Sequence, residues 1–132
     1  MTVAARQNAT QEIHYIRSNI AFNTVASGTQ VSMGAAVPAN AQILYTAVAV
    51  QTVFNAASTN VLIVGTAADP DALVAAGGAD ETAVGVTLVA PATLGGIMSS
   101  SVDVELFWTY TQTGTAATTG AATVVVAYVP NA

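Results

Sequence analysis

Val102-Asp103-Val104-Glu105-Leu106-Phe107-Trp108-Thr109-Tyr110 alternates inward-type and outward-type side chains along its whole length. A β-strand sends successive side chains to opposite faces, so period-two alternation is the mark of a half-buried strand. Val102, Val104, Leu106, Trp108 and Tyr110 are therefore predicted to face a core. Asp103, Glu105, Phe107 and Thr109 are predicted to face outward. A slip of one residue would exchange the two sets, which ties the register of this strand to burial of Trp108 and Tyr110. Phe107 is the outward position that breaks the polar pattern. A phenylalanine between Glu105 and Thr109 marks a contact surface.

The same reading extends in both directions. Residues 84–89 form a strand, residues 91–96 loop, residues 111–120 make a polar, flexible connection, and residues 122–129 close the fold as a last strand. Towards the amino terminus, Ile13 and Tyr15 alternate with Glu12 and His14, and residues 20–25 make a second short strand around Phe22. Ser27-Gly28-Thr29 is a turn, Val31 and Met33 alternate with Gln30 and Ser32, and Pro38 fixes a second turn at residues 37–40. Residues 43–54 are the longest strand candidate. Leu44, Val48, Val50 and Phe54 share one face, and Ile43, Tyr45, Ala47, Ala49 and Val53 share the other. Two apolar faces call for cover on both sides, by a second sheet and by a loop or another subunit. Residues 61–66 follow as an apolar strand.

One short helix is expected at residues 69–77. Asp69 suits the N-cap, Pro70 the first helical position, Asp71 the positive end of the dipole, and Gly77 the left-handed position after the last turn. Seven or eight short strands separated by turns, with this one helix, predict an all-β, antiparallel two-sheet β-sandwich. Jelly-roll connectivity is favoured over immunoglobulin-like. Residues 1–11 are polar and small and are expected to be a flexible N-terminal arm, with residues 12–132 forming a single domain.

Composition narrows the function. Alanine, valine and threonine make up about half of the 132 residues, and β-branched residues suit a pleated surface. Only 7% of residues are charged, against roughly 25% in an ordinary domain. There is no lysine; Arg6 and Arg17 stand against seven carboxylates, for a net charge of −5. That balance excludes nucleic acid as a partner, because neutralising phosphates takes several cations, and it disfavours anionic membranes for the same reason. No segment is apolar enough to span a bilayer as a helix, and the opening MTVAARQNATQE lacks the apolar core of a secretory signal. The absence of cysteine excludes disulfides, thiolate metal sites and a cysteine nucleophile.

The remaining candidate sites read as structural. Asp103 and Glu105 lie on one strand face, about 7 Å apart along the strand, as a solvated acidic face would. Asp69, Asp71 and Asp80 lack the glycine and glutamate positions of a calcium loop. His14 has no serine in a nucleophile-elbow context to serve, and neither Gly77-Gly78 nor Gly95-Gly96 is followed by the lysine of a phosphate loop. No catalytic residue, cofactor or metal is expected.

Val37-Pro38-Ala39-Asn40-Ala41-Gln42-Ile43, Phe54-Asn55, the run from Val61 through Gly65-Thr66-Ala67-Ala68-Asp69-Pro70-Asp71-Ala72, and the closing Thr118-Thr119-Gly120 with its apolar strand resemble segments of small virion proteins of tailed bacteriophages. The likeness covers roughly residues 30 to 129. Such proteins include capsid decoration (cement) proteins and head-fibre components, β-sandwiches that commonly trimerise on the shell. The resemblance implies a structural protein on the virion's capsid surface, with the major capsid protein as partner and a homo-oligomer, a trimer, as the functional form. It implies no catalytic residues. A head-fibre or tail component contacting the host surface is the alternative within the virion, and a carbohydrate-binding β-sandwich module is the alternative outside it.

Two groups of residues are expected to carry the interactions. Tyr45, Val53 and Phe107 are candidates for burial between subunits. Val3, Ala4, Ala5 and Arg6 are candidates for attachment to the capsid, the apolar three carrying affinity and Arg6 orienting a positive arm on an acidic molecule.

Overall fold

The computed structural model describes residues 12–90 and 101–130. Within them the chain forms β1 (His14–Ala21), β2 (Gln30–Val37), β3 (Gln42–Thr52), β4 (Thr59–Gly65), β5 (Gly85–Val89), β6 (Val104–Thr113) and β7 (Ala121–Val129). They build two sheets, one ordered β1-β7-β3-β5 and the other β2-β6-β4. Every pairing is antiparallel. Each strand crosses to the opposite sheet from its predecessor, so no two strands adjacent in sequence pair with each other. The predicted two-sheet sandwich is the observed architecture.

The core lies between the sheets. Ile16 and Ile20 of β1, Val48 and Val50 of β3, and Val124 and Val126 of β7 face Leu62 and Val64 of β4 and Leu106, Trp108 and Tyr110 of β6. Trp108, the largest fully buried side chain, is 1% exposed. Its indole Nε1–H donates to Ser18 Oγ at 3.2 Å, so a strand of one sheet satisfies the buried donor of the other. Tyr110 stacks obliquely on Phe54, with ring centroids 4.8 Å apart, and its hydroxyl donates to Asn60 Oδ1 at 2.7 Å.

Several local expectations are corrected. β6 starts at Val104, and Val102 is 65% exposed, because the alternation reaches the core only at Leu106. Thr109 points outward yet is 8% exposed; Gln30 and Ile63 flank it in the ladder. Residues 20–25 add no second strand: β1 ends at Ala21, where Thr24 N–H donates to the Ala21 carbonyl and Thr24 Oγ1 accepts from Ala21 N–H. In β3 the register shifts between Ile43 and Tyr45. An extra residue at a bulge exchanges faces, so Ile43 is buried and Leu44 only half-buried. From there Thr46, Val48 and Val50 form the inward row.

The expected helix at residues 69–77 does not form. Val64 and Val74 make an isolated antiparallel bridge, with Leu73 N–H and Val74 N–H donating to the Val64 carbonyl and Val64 N–H donating to the Val74 carbonyl. Asp69 and Pro70 instead open a tight turn closed by Ala72 N–H on the Asp69 carbonyl, a setting proline favours as much as a helix start. Ala72, Leu73 and Val74 are all buried. Three consecutive buried residues cannot lie on one stripe of a surface helix, and the free edge of β4 supplies backbone partners instead. Gly65 makes the approach possible, since a Cβ there would overlap the Asp69 carbonyl oxygen.

The connection after β6 is also more ordered than its composition predicts. Asn55 Oδ1 accepts from Thr118 and Thr119 N–H, Asn55 Nδ2 donates to Thr118 Oγ1, and Thr119 Oγ1 donates to the Val53 carbonyl at 2.8 Å. Gln112 Oε1 accepts from Ala117 N–H at 2.6 Å. The loop then enters β7 at Gly120, whose φ is 149° and beside which the Phe54 ring leaves no room for a Cβ.

A methyl group at position 120 would overlap that ring. Gly120→Ala is expected to lower stability by about 1–3 kcal/mol through overpacking, read as a lower Tm by calorimetry. Phe54→Leu combined with Gly120→Ala should cost less than the two single changes added, because the residues share one contact.

Candidate functional site

The chain presents two sheet faces to the outside, and they differ in chemistry. On the four-stranded sheet the ladder aligns three outward rows. Tyr15, Ala127 and Tyr45 form the first; Arg17, Val125, Ala47 and Leu88 the second; Asn19, Thr123, Ala49 and Val86 the third. Small side chains occupy the middle of the sheet and larger ones its margins. Tyr15 is 58% exposed, Val86 66% and Leu88 67%. Ala127, which lies between the two tyrosines in the ladder, is fully buried although it points outward. Loss of hydration, followed by the adjacent Tyr15, raises the Tyr45 phenol above its ordinary range.

One end of this face is polar. Gln51 Nε2 donates to Thr123 Oγ1 at 2.8 Å, and Thr123 Oγ1 donates to Asn19 Oδ1 at 3.0 Å. These side chains help line an open depression of about 490 Å³.

On the three-stranded sheet, Phe107 lies between Ser32 and Gly65 in the ladder, with Glu105 beside Ala36. Asp103, Val104, Glu105 and Phe107 border an open depression of about 430 Å³, completed by Thr66, Ala67 and Ala68. Both carboxylates have structural partners. Asp103 Oδ1 accepts from Ala39 N–H at 3.0 Å, and Glu105 accepts from the Ser32 hydroxyl. Asp103 thereby pins the turn in which Asn40 takes a left-handed φ of 62°.

The charged groups are few and unevenly placed. Asp69, Asp71, Asp80 and Glu81 lie in the connection from β4 to β5, while Asp103 and Glu105 lie at the start of β6. The seventh carboxylate, Glu12, precedes β1. Arg17, the only Lys or Arg among the described residues, projects from the opposite sheet.

Asp69 and Asp71 adjoin, which raises the Asp69 carboxyl above the ordinary range, chiefly through their hydrogen bond. Thr82 donates both its hydroxyl and its N–H to Asp80 and lowers that carboxyl. Among the described residues no group of three His, Cys, Asp or Glu side chains is placed to hold a metal ion. His14 stacks on Tyr128 at 5.7 Å.

The sequence did not single out Glu81, which is 6% exposed. Its Oε1 accepts from Leu62 N–H at 2.8 Å, and its carbonyl accepts from Phe54 N–H at 2.9 Å. Loss of hydration raises its carboxyl above the ordinary value, against the lowering effect of the backbone donors. Its setting, Ala79-Asp80-Glu81-Thr82, looks like any polar turn. The outward row on β5 was also hidden, because Val84, Val86 and Leu88 have the alternation of a core face. The inward residues are Thr87 and Val89, opposite Val48 and Thr46.

Of the residues predicted to lie between subunits, Tyr45 is on the outer face of the four-stranded sheet and Phe107 on that of the three-stranded sheet. Val53 lies just past β3, half-buried, with its carbonyl tied to Thr119. The three do not share a surface. Val3, Ala4, Ala5 and Arg6 fall outside the described residues, as does the whole predicted arm.

No protein-family model matches the sequence, and no curated protein matches it. Two solved structures match the fold. A chain of the cyanophage Pam1 capsid asymmetric unit superposes with a TM-score of 0.72 at 12% identity, covering 99% of this chain and 93% of that one. A chain of the capsid of Ralstonia phage GP4 superposes with a TM-score of 0.65 at 17% identity, covering 99% and 92%. At these identities the likeness is one of fold, extending over nearly the whole chain.

Glu81 provides a test of the electrostatics. Glu81→Ala leaves Leu62 N–H buried without its acceptor and is expected to cost about 1–3 kcal/mol. Glu81→Gln keeps an amide oxygen at that point and should cost far less. A folded-state carboxyl raised above its unfolded value binds more protons folded than unfolded, so its contribution weakens as pH rises. Stability should therefore fall through the window just above 4.5, the ordinary glutamate value, and Glu81→Gln should remove that part of the slope in denaturant titrations.

Proposed function

We propose that this protein is a structural component of a tailed-phage virion that binds the outside of the head as a capsid decoration protein and reinforces the shell. The observation that carries this reading is the match of nearly its whole length to chains of two phage capsids. The surface chemistry supports it. Asp80, Glu81, Asp103 and Glu105 bond to backbone or hydroxyl groups of the chain itself, and exposed apolar side chains lie on a sheet face suited to packing. On this reading the protein is not an enzyme, and its partner is the major capsid protein.

The connectivity of the proposed fold is a jelly roll. In that topology the first strand pairs with the last, the last with the third, and the third with the third from the end, while the second pairs with the penultimate and the penultimate with the fourth. β1-β7-β3-β5 and β2-β6-β4 have this order. The Val64–Val74 bridge lies where the missing strand would pair with β4.

The functional form is proposed to be a homotrimer, with residues 1–11 reaching the shell through Val3, Ala4, Ala5 and Arg6. Small contacts of this kind hold through multiplicity, since linked copies rebind at high effective concentration. Particles lacking the protein, incubated with the purified chain and imaged by cryo-electron microscopy, should acquire ordered density at fixed lattice positions with saturable stoichiometry. Deleting residues 1–11 should leave the melting temperature and the oligomer unchanged and reduce attachment at least tenfold. Particles that acquire no density would overturn the decoration role. Equal decoration by the truncated chain would move attachment to the sandwich loops.

A further inference from the structure

A sheet leaves backbone groups unpaired along its two edge strands. Proteins block such edges with charges, bulges or covering loops, because an open edge invites another strand. The two sheets of this chain end in β1, β5, β2 and β4. Three of these edges are blocked. β1 carries Arg17 in its outward row. β2 is broken by a register shift between Ser32 and Ala36, where Gly34 takes a φ of 79°. β4 is covered by the connection that follows it: Val74 bridges Val64, and the Glu81 carboxylate accepts from Leu62 N–H. β5 has none of these devices. Gly85-Val86-Thr87-Leu88-Val89 contains no charge and no proline, and it pairs with β3 without a register shift. Val86 and Leu88 are both about two-thirds exposed, and among the described residues no turn or loop backbone bonds to the strand.

We infer that β5 pairs antiparallel with β5 of a second copy of this chain, about a two-fold axis at Thr87. The four-stranded sheets of the two copies then become one continuous sheet, with the paired β5 strands at its centre.

Three features of the strand select its own copy as the partner. Chains of net charge −5 repel one another, but β5 is neutral along its length, so no like charges meet at the axis. The strand is also complementary to itself. A two-fold axis perpendicular to the sheet keeps outward side chains opposite outward ones, and an axis at Thr87 sets Val86 of each copy opposite Leu88 of the other. The four exposed apolar side chains then cover one another as cross-strand pairs. That axis engages all five residues, with Gly85 opposite Val89, and an axis one residue to either side engages fewer. Finally, a two-fold contact uses each β5 edge once and closes on itself. The strength of strand addition lies in main-chain hydrogen bonds more than in buried side-chain area. A pairing this short belongs with the weak, transient contacts that gain from many copies held on one lattice. The inference goes beyond the proposed decoration role and does not rest on it. The contact is additional to that of the proposed homotrimer and on a shell would join one trimer to the next.

The test uses the full purified chain without particles, with thermal melts to establish folding. Hydrogen exchange of wild type should show β5 amides gaining at least tenfold protection between micromolar and submillimolar concentration. Val86→Glu and Leu88→Lys change exposed side chains, so each should melt like wild type and abolish that gain. Combined in one chain, the two changes place opposite charges across the axis and should restore most of it. Thr87→Cys introduces the one thiol of a cysteine-free chain, and residues directly opposite in an antiparallel pair are close enough for a disulfide. Mild oxidation should link it into a covalent dimer at least tenfold faster than Asn19→Cys on the edge strand β1. β5 amides unprotected at every concentration overturn the inference. Amides protected at every concentration and in both charged variants show the edge covered within one copy, and overturn it too. So does a well-folded double variant that fails to recover, or a well-folded Thr87→Cys that links no faster than Asn19→Cys. If Thr87→Cys melts early, exchange and the double variant decide. Particle binding is scored separately, so a chain that lacks this contact and still decorates shells rejects the inference and leaves the decoration role standing.

Discussion

Trp108 has to be buried between two sheets and its indole N–H has to be satisfied there. No other side chain in the core is as large, and the donor finds its acceptor in Ser18 on the opposite sheet. A buried unpaired donor costs on the order of 1–3 kcal/mol. This hydrogen bond therefore fixes the relative placement of β1 and β6 as well as stabilising the core. The small residues around it follow from the same constraint. Val124, Val126, Val48 and Val64 share the buried cluster with the indole, and Ala122 adds little volume to it.

The sheet-switching path of the chain makes this constraint global. Because no consecutive strands pair, each ladder forms only when distant segments meet, as with His14–Ala21 against Ala121–Val129. Loop closure is expensive before such contacts form, and the loops carry devices that hold the ends once met. Asn55 bonds residues 118 and 119, Asp103 holds Ala39, and Glu81 ties the β4–β5 connection to both Leu62 and Phe54. Polar side chains in this protein are mostly used to bind its own backbone.

That use of polarity bears directly on function. Few groups are charged, and Asp80, Glu81, Asp103 and Glu105 bond to Thr82, Leu62, Ala39 and Ser32 of the same chain. Arg17 projects from one outer face, and Asp103 and Glu105 border the depression on the other. A sheet face that leaves Tyr15, Val86 and Leu88 exposed is unusual for a solitary protein, since edge strands and exposed apolar side chains invite association. Under the proposed packing role in a virion, that liability would become the mode of binding.

The strand content, the inward positions of Leu106, Trp108 and Tyr110 and the turns at residues 28 and 38–40 were legible in the amino-acid sequence. Each rests on local periodicity or turn chemistry. The helix expected at residues 69–77 failed because Asp69-Pro70 opens a tight turn as readily as a helix, and only the nearby edge of β4 decides between them. The exchange of Ile43 and Leu44 depends on a bulge in the pairing with β7, which no local pattern announces. Glu81 is buried because the β4–β5 connection folds over Leu62, and the same four letters at a free turn would be solvated. Val86 and Leu88 are outward because β5 pairs with β3 in the register that turns Thr87 and Val89 inward. Alternation in sequence defines two faces of a strand but does not say which one meets the core; that choice belongs to the partner strand and its register, and so to the tertiary structure alone.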